Sequence, residues 1–323
     1  MTEPLLRFHS VFVTGGSGFV GRYLLDALRD RLPVGARLVA PGRDGKASVD
    51  LRDGVAVRAA IAEVQPDLIF HLAAQSSVGQ SAGAAAETWV TNVVGTLNVA
   101  QAIASEVPEA MVAFASSSEV YGDAFNCGPA DEETVPRPKS VYARTKRAAE
   151  EVLVDTLASS NRLRIFRPTN HSGPGQNTRF ALPAFAQQIA AIESGRLPPV
   201  IKVGSLTAER DFLDVRDVVD AYCDTLAQPG DERVVTLNIA SGQVVPISRL
   251  LEGLMALTEM QVVVEQDPTR MRPSDVPRAA IDAGRIRSRI GWQASRLLDD
   301  MIADVLNDFR DQECEQTAGQ FRS

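Results

Sequence analysis

The stretch "SVYARTKRAAEE", residues 140–151, places Tyr142 and Lys146 four positions apart in a segment with a helical pattern. Residues i and i+4 share a helix face, so the phenol and the ammonium are neighbours. An unperturbed tyrosine titrates near 10, too high to exchange protons readily at neutral pH. A nearby cation is expected to favour the phenolate and bring it toward the working range. Tyr142 then becomes a usable general acid or base. The same spacing also occurs on ordinary solvated helix faces, so the pair needs a setting. Upstream, "FASSSEVYG" ends an apolar run with hydroxyls. There Ser117 can hydrogen-bond the same substrate oxygen as Tyr142.

The second chemical signal is "VFVTGGSGFVGRYLLDALRD", a strand running through a glycine-rich turn into an amphipathic helix. Gly16, Gly18 and Gly21 fit the G-x-G-x-x-G dinucleotide fingerprint, and Gly15, Gly18 and Gly21 fit a second register. Glycine lets a pyrophosphate approach the backbone N–H groups at the helix start, here those around Ser17, Phe19 and Val20. Glycines that serve only tight packing are the alternative. At the end of the second strand, where an NAD enzyme offers an acid to the ribose, "RLVAPGRDG" has Pro41 followed by Arg43. Arg43 can pair with a 2′-phosphate, which favours NADP(H) and leaves NAD(H) open, with a surface arginine beside Asp44 as the plainer reading. Asp50, at the end of a third expected strand, can accept from the adenine amino group with Leu51 against the ring, or simply cap that strand.

These groups need a scaffold, and the hydrophobic pattern provides one. Short apolar runs ("SVFVTGG", "ARLVAPG", "DLIFHLAA", "MVAFASSS", "RLRIFRP") alternate with longer periodic segments. That alternation predicts an α/β fold with a doubly wound parallel sheet covered on both faces. From about residue 172 the pattern breaks into Gly/Pro-rich stretches, with one more strand in "VVTLNIA" and helices around Ile247 to Leu257 and Leu297 to Phe309. We read residues 1–171 as the cofactor domain, completed by the strand near 234–240, and 172–323 as a smaller, interleaved substrate-binding lobe. The chain of 323 residues carries a formal charge of −8, which argues against a broad surface for nucleic acid or anionic membrane. No segment approaches the roughly 20 apolar residues of a membrane span, and the start lacks a signal-peptide pattern. Three cysteines, Cys127, Cys223 and Cys314, and three histidines show no metal-ligand spacing. The cysteines are read as reduced and structural, no metal is expected, and the expected compartment is the cytoplasm.

Taken together, "TGGSGFVG", "HLAAQSSV", "TNVVGTLNV", "SSSEVYG", "YARTK" and "RPTN" resemble the extended short-chain dehydrogenase/reductases that act on nucleotide sugars. The resemblance runs over nearly the whole chain. It implies a Rossmann cofactor domain and a catalytic triad of Ser117, Tyr142 and Lys146, with Lys146 also holding the nicotinamide ribose. It implies further that Leu72, Ala73 and Ala74 line the cofactor and that Asn92 sits on the helix behind the site. A homodimer through a four-helix interface, built from helices beginning near Thr88 and Val141, is implied as well.

In the second half, "NHSGPGQ", "IKVGSLTAERDFLDVRDVVDAY" and "RMRPSDVP" resemble the GDP-4-keto-6-deoxy-D-mannose reductases. That likeness implies a GDP-sugar substrate met by Asn170, Arg210 and Arg272, the arginines serving the diphosphate, and by Asp275, which accepts from the nucleotide ribose. Two arginines can clamp a diphosphate by charge-assisted bonds, though solvated surface arginines are the alternative. The related GDP-mannose 4,6-dehydratases need a further acid/base group, which Glu119 can supply. They typically carry Thr-Ser-Glu, Asn-His-Glu-Ser-Pro and an Arg-Arg-Ser loop where this chain has Ser117-Ser118-Glu119, "NHSGP" and "GRDGKAS". These departures favour the reductase and leave Glu119 a structural role in its turn. The product's C4 configuration, GDP-D-rhamnose or its epimer GDP-6-deoxy-D-talose, stays open. A non-catalytic NADP-sensing protein on the same fold is the remote alternative, since both Tyr142 and Lys146 are present.

Overall fold

The computed structural model describes residues 5–42, 48–228, 230–270 and 276–320. The first half alternates strand and helix: β1 (Ser10–Thr14), α1 (Phe19–Arg31), β2 (Arg37–Val39), α2 (Gly54–Val64), β3 (Leu68–His71), α3 (Val78–Gly83) and α4 (Ala85–Trp89). A π-helical turn, Val90–Val94, joins α4 to α5 (Gly95–Glu106), and β4 (Met111–Ala115), α6 (Val141–Thr156) and β5 (Arg162–Pro168) follow. The second half runs β6 (Asn170–Ser172), α7 (Ala181–Glu193), β7 (Val200–Val203), β8 (Glu209–Asp214), α8 (Val215–Ala227), β9 (Val234–Ile239) and β10 (Val244–Pro246). It ends with α9 (Ser248–Met255), β11 (Val263–Gln266), β12 (Arg278–Ala279), α10 (Gly284–Ile290) and α11 (Leu298–Gln320).

Six parallel strands form the main sheet in the order β2-β1-β3-β4-β5-β9. Their residues are mostly apolar because both faces are covered, with Thr14, His71, Arg164, Arg167 and Asn238 as buried polar exceptions. One face buries Leu24, Leu28, Phe70, Phe166, Val218 and Tyr222, and the other Phe12, Ile61, Ile69, Val99, Phe114 and Leu153. From β1 the chain passes to β2 on one side and returns to β3 on the other, so the C-terminal ends of β1 and β3 border the crevice where open α/β sheets hold ligands. A third core, around Phe185, Ile189, Leu250, Leu254, Ile302 and Leu306, packs α7, α9 and α11 together. Beside it lies a small sheet in which β8 pairs with β6, β10 and β12.

The strand expected to end at Asp50 is absent: residues 48–50 have no regular structure. Asp50 instead closes a tight turn, accepting from the Arg52 backbone N–H at 3.0 Å and from its guanidinium at 2.9 and 2.6 Å. A three-residue segment with a polar partner two positions on gains more from that local closure than from a ladder. The three cysteines are free, but Cys127 and Cys314 are exposed, and only Cys223 is part of the core. Among the described residues no helix is long and apolar enough to cross a membrane, and no cluster of His, Cys, Asp and Glu could hold a metal ion.

Candidate active site

The glycine turn follows β1 and opens α1. Gly15 has φ +72°, and a Cβ there would stand 2.7 Å from the Ala73 nitrogen, so only glycine lets the turn lie against the loop leaving β3. A Cβ at Gly21 would come within 2.3 Å of the Gly15 carbonyl oxygen, which seats the first turn of α1 on the loop. Gly18 is the N-cap of α1 and makes no side-chain cap. The register Gly15, Gly18, Gly21 therefore describes this turn: close approach, bare cap and tight seat. A cradle that a Cβ would fill, at an uncapped helix start, fits a dinucleotide pyrophosphate.

The wall opposite is held by a buried polar chain. Thr96 donates to the Asn92 carbonyl at 2.6 Å, so it accepts from His71 Nε2 at 2.9 Å, and Thr14 Oγ1 takes the Ala73 N–H at 3.2 Å. Burial, helped by Lys146, holds His71 down to about 3, so the ring is neutral and its Nδ1 accepts from Thr14 Oγ1 at 2.8 Å. This chain sets the Leu72–Ala74 backbone against Gly15. Asn92, inside the π turn, grips Gln75 at both backbone groups (2.8 and 3.2 Å) and donates to Thr145 on α6 at 2.9 Å. Turns of this kind often mark functional sites, because they redirect a side chain within a continuous helix.

Ser140 caps α6 by accepting from the Ala143 N–H at 3.0 Å, so the helix starts at Val141, one residue ahead of Tyr142. Tyr142, Lys146 and Ser117 are 8%, 3% and 9% exposed, so all three are largely stripped of water. Lys146 donates to the Ala115 carbonyl at 2.6 Å and lies 4.8 Å from the Phe114 ring centroid. The expected lowering of Tyr142 by Lys146 does not occur. Burial raises the phenol to about 12, with the Ser117 hydroxyl pulling it down and Glu119 pushing it up. Lys146 is itself brought down to about 7 by burial, opposed by Glu150. A half-neutral amine exerts little field on its neighbour, and desolvation acts on both groups.

Glu119 does not serve its turn as a cap; that is done by Ser117 Oγ, which accepts from the Glu119 N–H at 3.2 Å. Its carboxyl, on a half-buried residue, acts electrostatically on the phenol and is itself raised by burial and opposed by Arg210. Arg210, lowered by burial and supported by Glu119, also donates to the Glu209 carbonyl at 2.7 Å. Asn170 pairs with Phe212, two residues beyond Arg210 on β8, so both side chains lie on one face of the small sheet. The fold thus brings Ser117, Glu119, Tyr142, Lys146 and Arg210 together, with Asn170 alongside. Arg43, Arg272 and Asp275 lie outside the described residues. Sequence reasoning missed Thr14, His71, Thr96, Thr145, Glu150 and Arg167. The available signal was a polar side chain inside an otherwise apolar strand or on a helix's buried face.

A family model described as GDP-mannose 4,6 dehydratase matches residues 45–305. The chain belongs to that family, within the extended short-chain dehydrogenase/reductases. A GDP-6-deoxy-D-mannose reductase of Pseudomonas aeruginosa is 33% identical over 301 residues, covering 93% of this chain and 96% of the relative. A dTDP-L-rhamnose 4-epimerase of Burkholderia thailandensis is 30% identical over 358 residues, covering 94% and 96%. Among solved structures, RMD from Pseudomonas aeruginosa complexed with NADPH superposes with a TM-score of 0.83 at 30% identity, covering 94% of this chain and 99% of that one.

Proposed function

We propose that this protein is an NADPH-dependent reductase acting on the C4 ketone of GDP-4-keto-6-deoxy-D-mannose and forming GDP-6-deoxy-D-mannose (GDP-D-rhamnose). The observation that carries the reading is Tyr142, a phenol kept protonated by burial beside Ser117 at the edge of a cofactor crevice. A protonated phenol is suited to give a proton to a developing alkoxide, which is what ketone reduction requires. NADPH, when bound at the glycine turn, supplies the hydride. Ser117 orients the ketone oxygen toward Tyr142, and Lys146 holds the nicotinamide ribose and offers positive charge as the phenol gives up its proton. Arg210 and Arg272 clamp the diphosphate, while Asn170 and Asp275 meet the rest of the sugar nucleotide. Near-full-length likeness to a GDP-6-deoxy-D-mannose reductase supports that substrate. Arg43 is assigned to the 2′-phosphate. Trp89, Val90 and Val94, 40%, 41% and 42% exposed along one continuous helical run, support a homodimer through α4, α5 and α6.

Glu119 favours one second reading, a 4,6-dehydratase, because a carboxyl raised by burial and acting on Tyr142 is the extra acid/base group that elimination needs. Supplying wild-type protein with GDP-mannose and NADP⁺ in deuterated water separates the two. The reductase yields no 4-keto sugar. Accumulation of that sugar with deuterium at C5 would replace the proposal by the dehydratase. With the keto sugar and NADPH, NMR of the product then gives its C4 configuration, GDP-D-rhamnose under the proposal and the talose epimer otherwise.

A further inference from the structure

A carboxylate that the chemistry above does not use lies buried in the helix carrying Tyr142 and Lys146. Glu150 follows Lys146 by one turn on the same face of α6 and is 1% exposed. Four donors converge on it: Ser116 Oγ at 2.5 Å, Arg167 Nε at 2.9 Å, Arg167 Nη2 at 2.6 Å and Arg147 Nη1 at 2.8 Å. Arg167 comes from β5 and gives its remaining amino group to the Tyr121 hydroxyl at 3.1 Å, which in turn donates to Asn238 on β9 at 2.7 Å. Ser116 and Tyr121 bracket the segment that holds Ser117 and Glu119. One ion pair therefore fixes both ends of that segment and fastens it to the helix of the other two reacting groups.

A buried ion pair is often no more stabilising than apolar residues of similar volume, so stability alone does not explain this one. We propose that Glu150 is a positioning residue: clamped by Arg167, it locks the Ser117 segment to the Tyr142–Lys146 helix and favours the charged form of the Lys146 amine. The proposal rests on reading Ser117, Tyr142 and Lys146 as the reacting set. The groups around Lys146 leave that second task to Glu150. His71 on β3 is neutral, Tyr142 on α6 is protonated, and Arg167 on β5 is engaged by Glu150 itself. Arg147 also reaches Glu151 on the outer side of α6, and Glu119, beyond β4, acts on Tyr142 and Arg210. Burial pulls Lys146 down, and Glu150 is the carboxylate that opposes it.

The chain contains four lysines, Lys46, Lys139, Lys146 and Lys202, so a lysine ¹³Cε NMR titration of the cofactor-free protein is simple to assign. One resonance is expected to titrate near pH 7 and to vanish in Lys146→Met. In Glu150→Gln, which keeps shape and hydrogen-bond acceptance, it moves down by about one pH unit, and the alkaline loss of NADPH affinity, read by NADPH fluorescence, moves with it. Ser116→Ala, which leaves the charges in place, lowers kcat on the keto sugar without moving that titration. If Glu150→Gln does not fold, the double variant Glu150→Gln/Arg167→Met leaves no unpaired buried charge at this clamp, and Lys146 must still titrate lower. An unchanged Lys146 titration in either folded variant overturns the proposal, as does a kinetically silent Ser116→Ala. Failure of wild-type protein to reduce the keto sugar refutes the proposed function and leaves the lysine titration readable.

Discussion

Replacing Lys146 by methionine should abolish turnover and change how stability depends on pH. The amine falls from an ordinary 10.5 to about 7 on folding, with burial as the largest cause. That difference is worth roughly 5 kcal/mol between the two protonation states. The sign follows from counting protons. Between pH 7 and the ordinary lysine value the unfolded chain keeps the proton and the folded one releases it, so stability rises with pH across that window. Below pH 7 both states hold the proton and the slope disappears. From pH 7 to pH 9 the wild-type protein should gain about 2 kcal/mol that Lys146→Met does not. The comparison cancels groups common to both, including Cys223, whose thiol burial pushes up to about 12 and which acts in the opposite direction above its unfolded value. Urea unfolding of both proteins at pH 7, 8 and 9, without cofactor, measures the difference. Parallel stability curves would refute the claim that Lys146 is half-neutral in the empty site. Methionine leaves the Ala115 carbonyl without its donor, so the slope, and not the absolute stability at one pH, is the readout.

Tyr142→Phe should retain the fold and NADPH binding but lose at least about 10²-fold in kcat on the keto sugar, measured at saturating cofactor. Gly15→Ala forces a Cβ to 2.7 Å from the Ala73 nitrogen at φ +72°, so NADPH affinity by fluorescence titration should fall well before the melting profile is lost. Glu119→Gln should cost less than about tenfold in kcat if the chemistry is reduction, whereas elimination would lose orders of magnitude. Under the proposed homodimer, Trp89→Asp together with Val94→Asp should give a monomer in sedimentation velocity where the wild type sediments as a dimer; an unaltered oligomer would place the interface elsewhere.

The six strands of the main sheet could be read from the sequence because each is an apolar run bounded by turn residues, and a strand covered on both faces tolerates little else. The places of Ser117, Tyr142, Lys146 and the glycine turn were equally visible, since they follow from residue type at fixed local spacing. The charge state of the pair was not. Spacing placed an ammonium one turn from Tyr142, but how far each group is stripped of water depends on Phe114, Tyr222 and neighbouring elements distant in sequence. The strand at Asp50 failed for a local reason, because Arg52 offers a closer partner than any neighbouring strand. Glu150 and Arg167 carried no local signal that joined them. Their convergence 17 residues apart is a property of β5 lying beside β4 under α6.

The most direct test of the account is transfer of isotope from NADPH deuterated at nicotinamide C4 to GDP-4-keto-6-deoxy-D-mannose. The proposed reaction consumes one cofactor per sugar, and the product carries deuterium at C4 and a solvent proton on its new hydroxyl. Wild-type protein should show this by mass spectrometry and NMR, and Tyr142→Phe should show it at least about 10²-fold more slowly. Absence of label at C4, or conversion of the sugar with no net oxidation of NADPH, would contradict it.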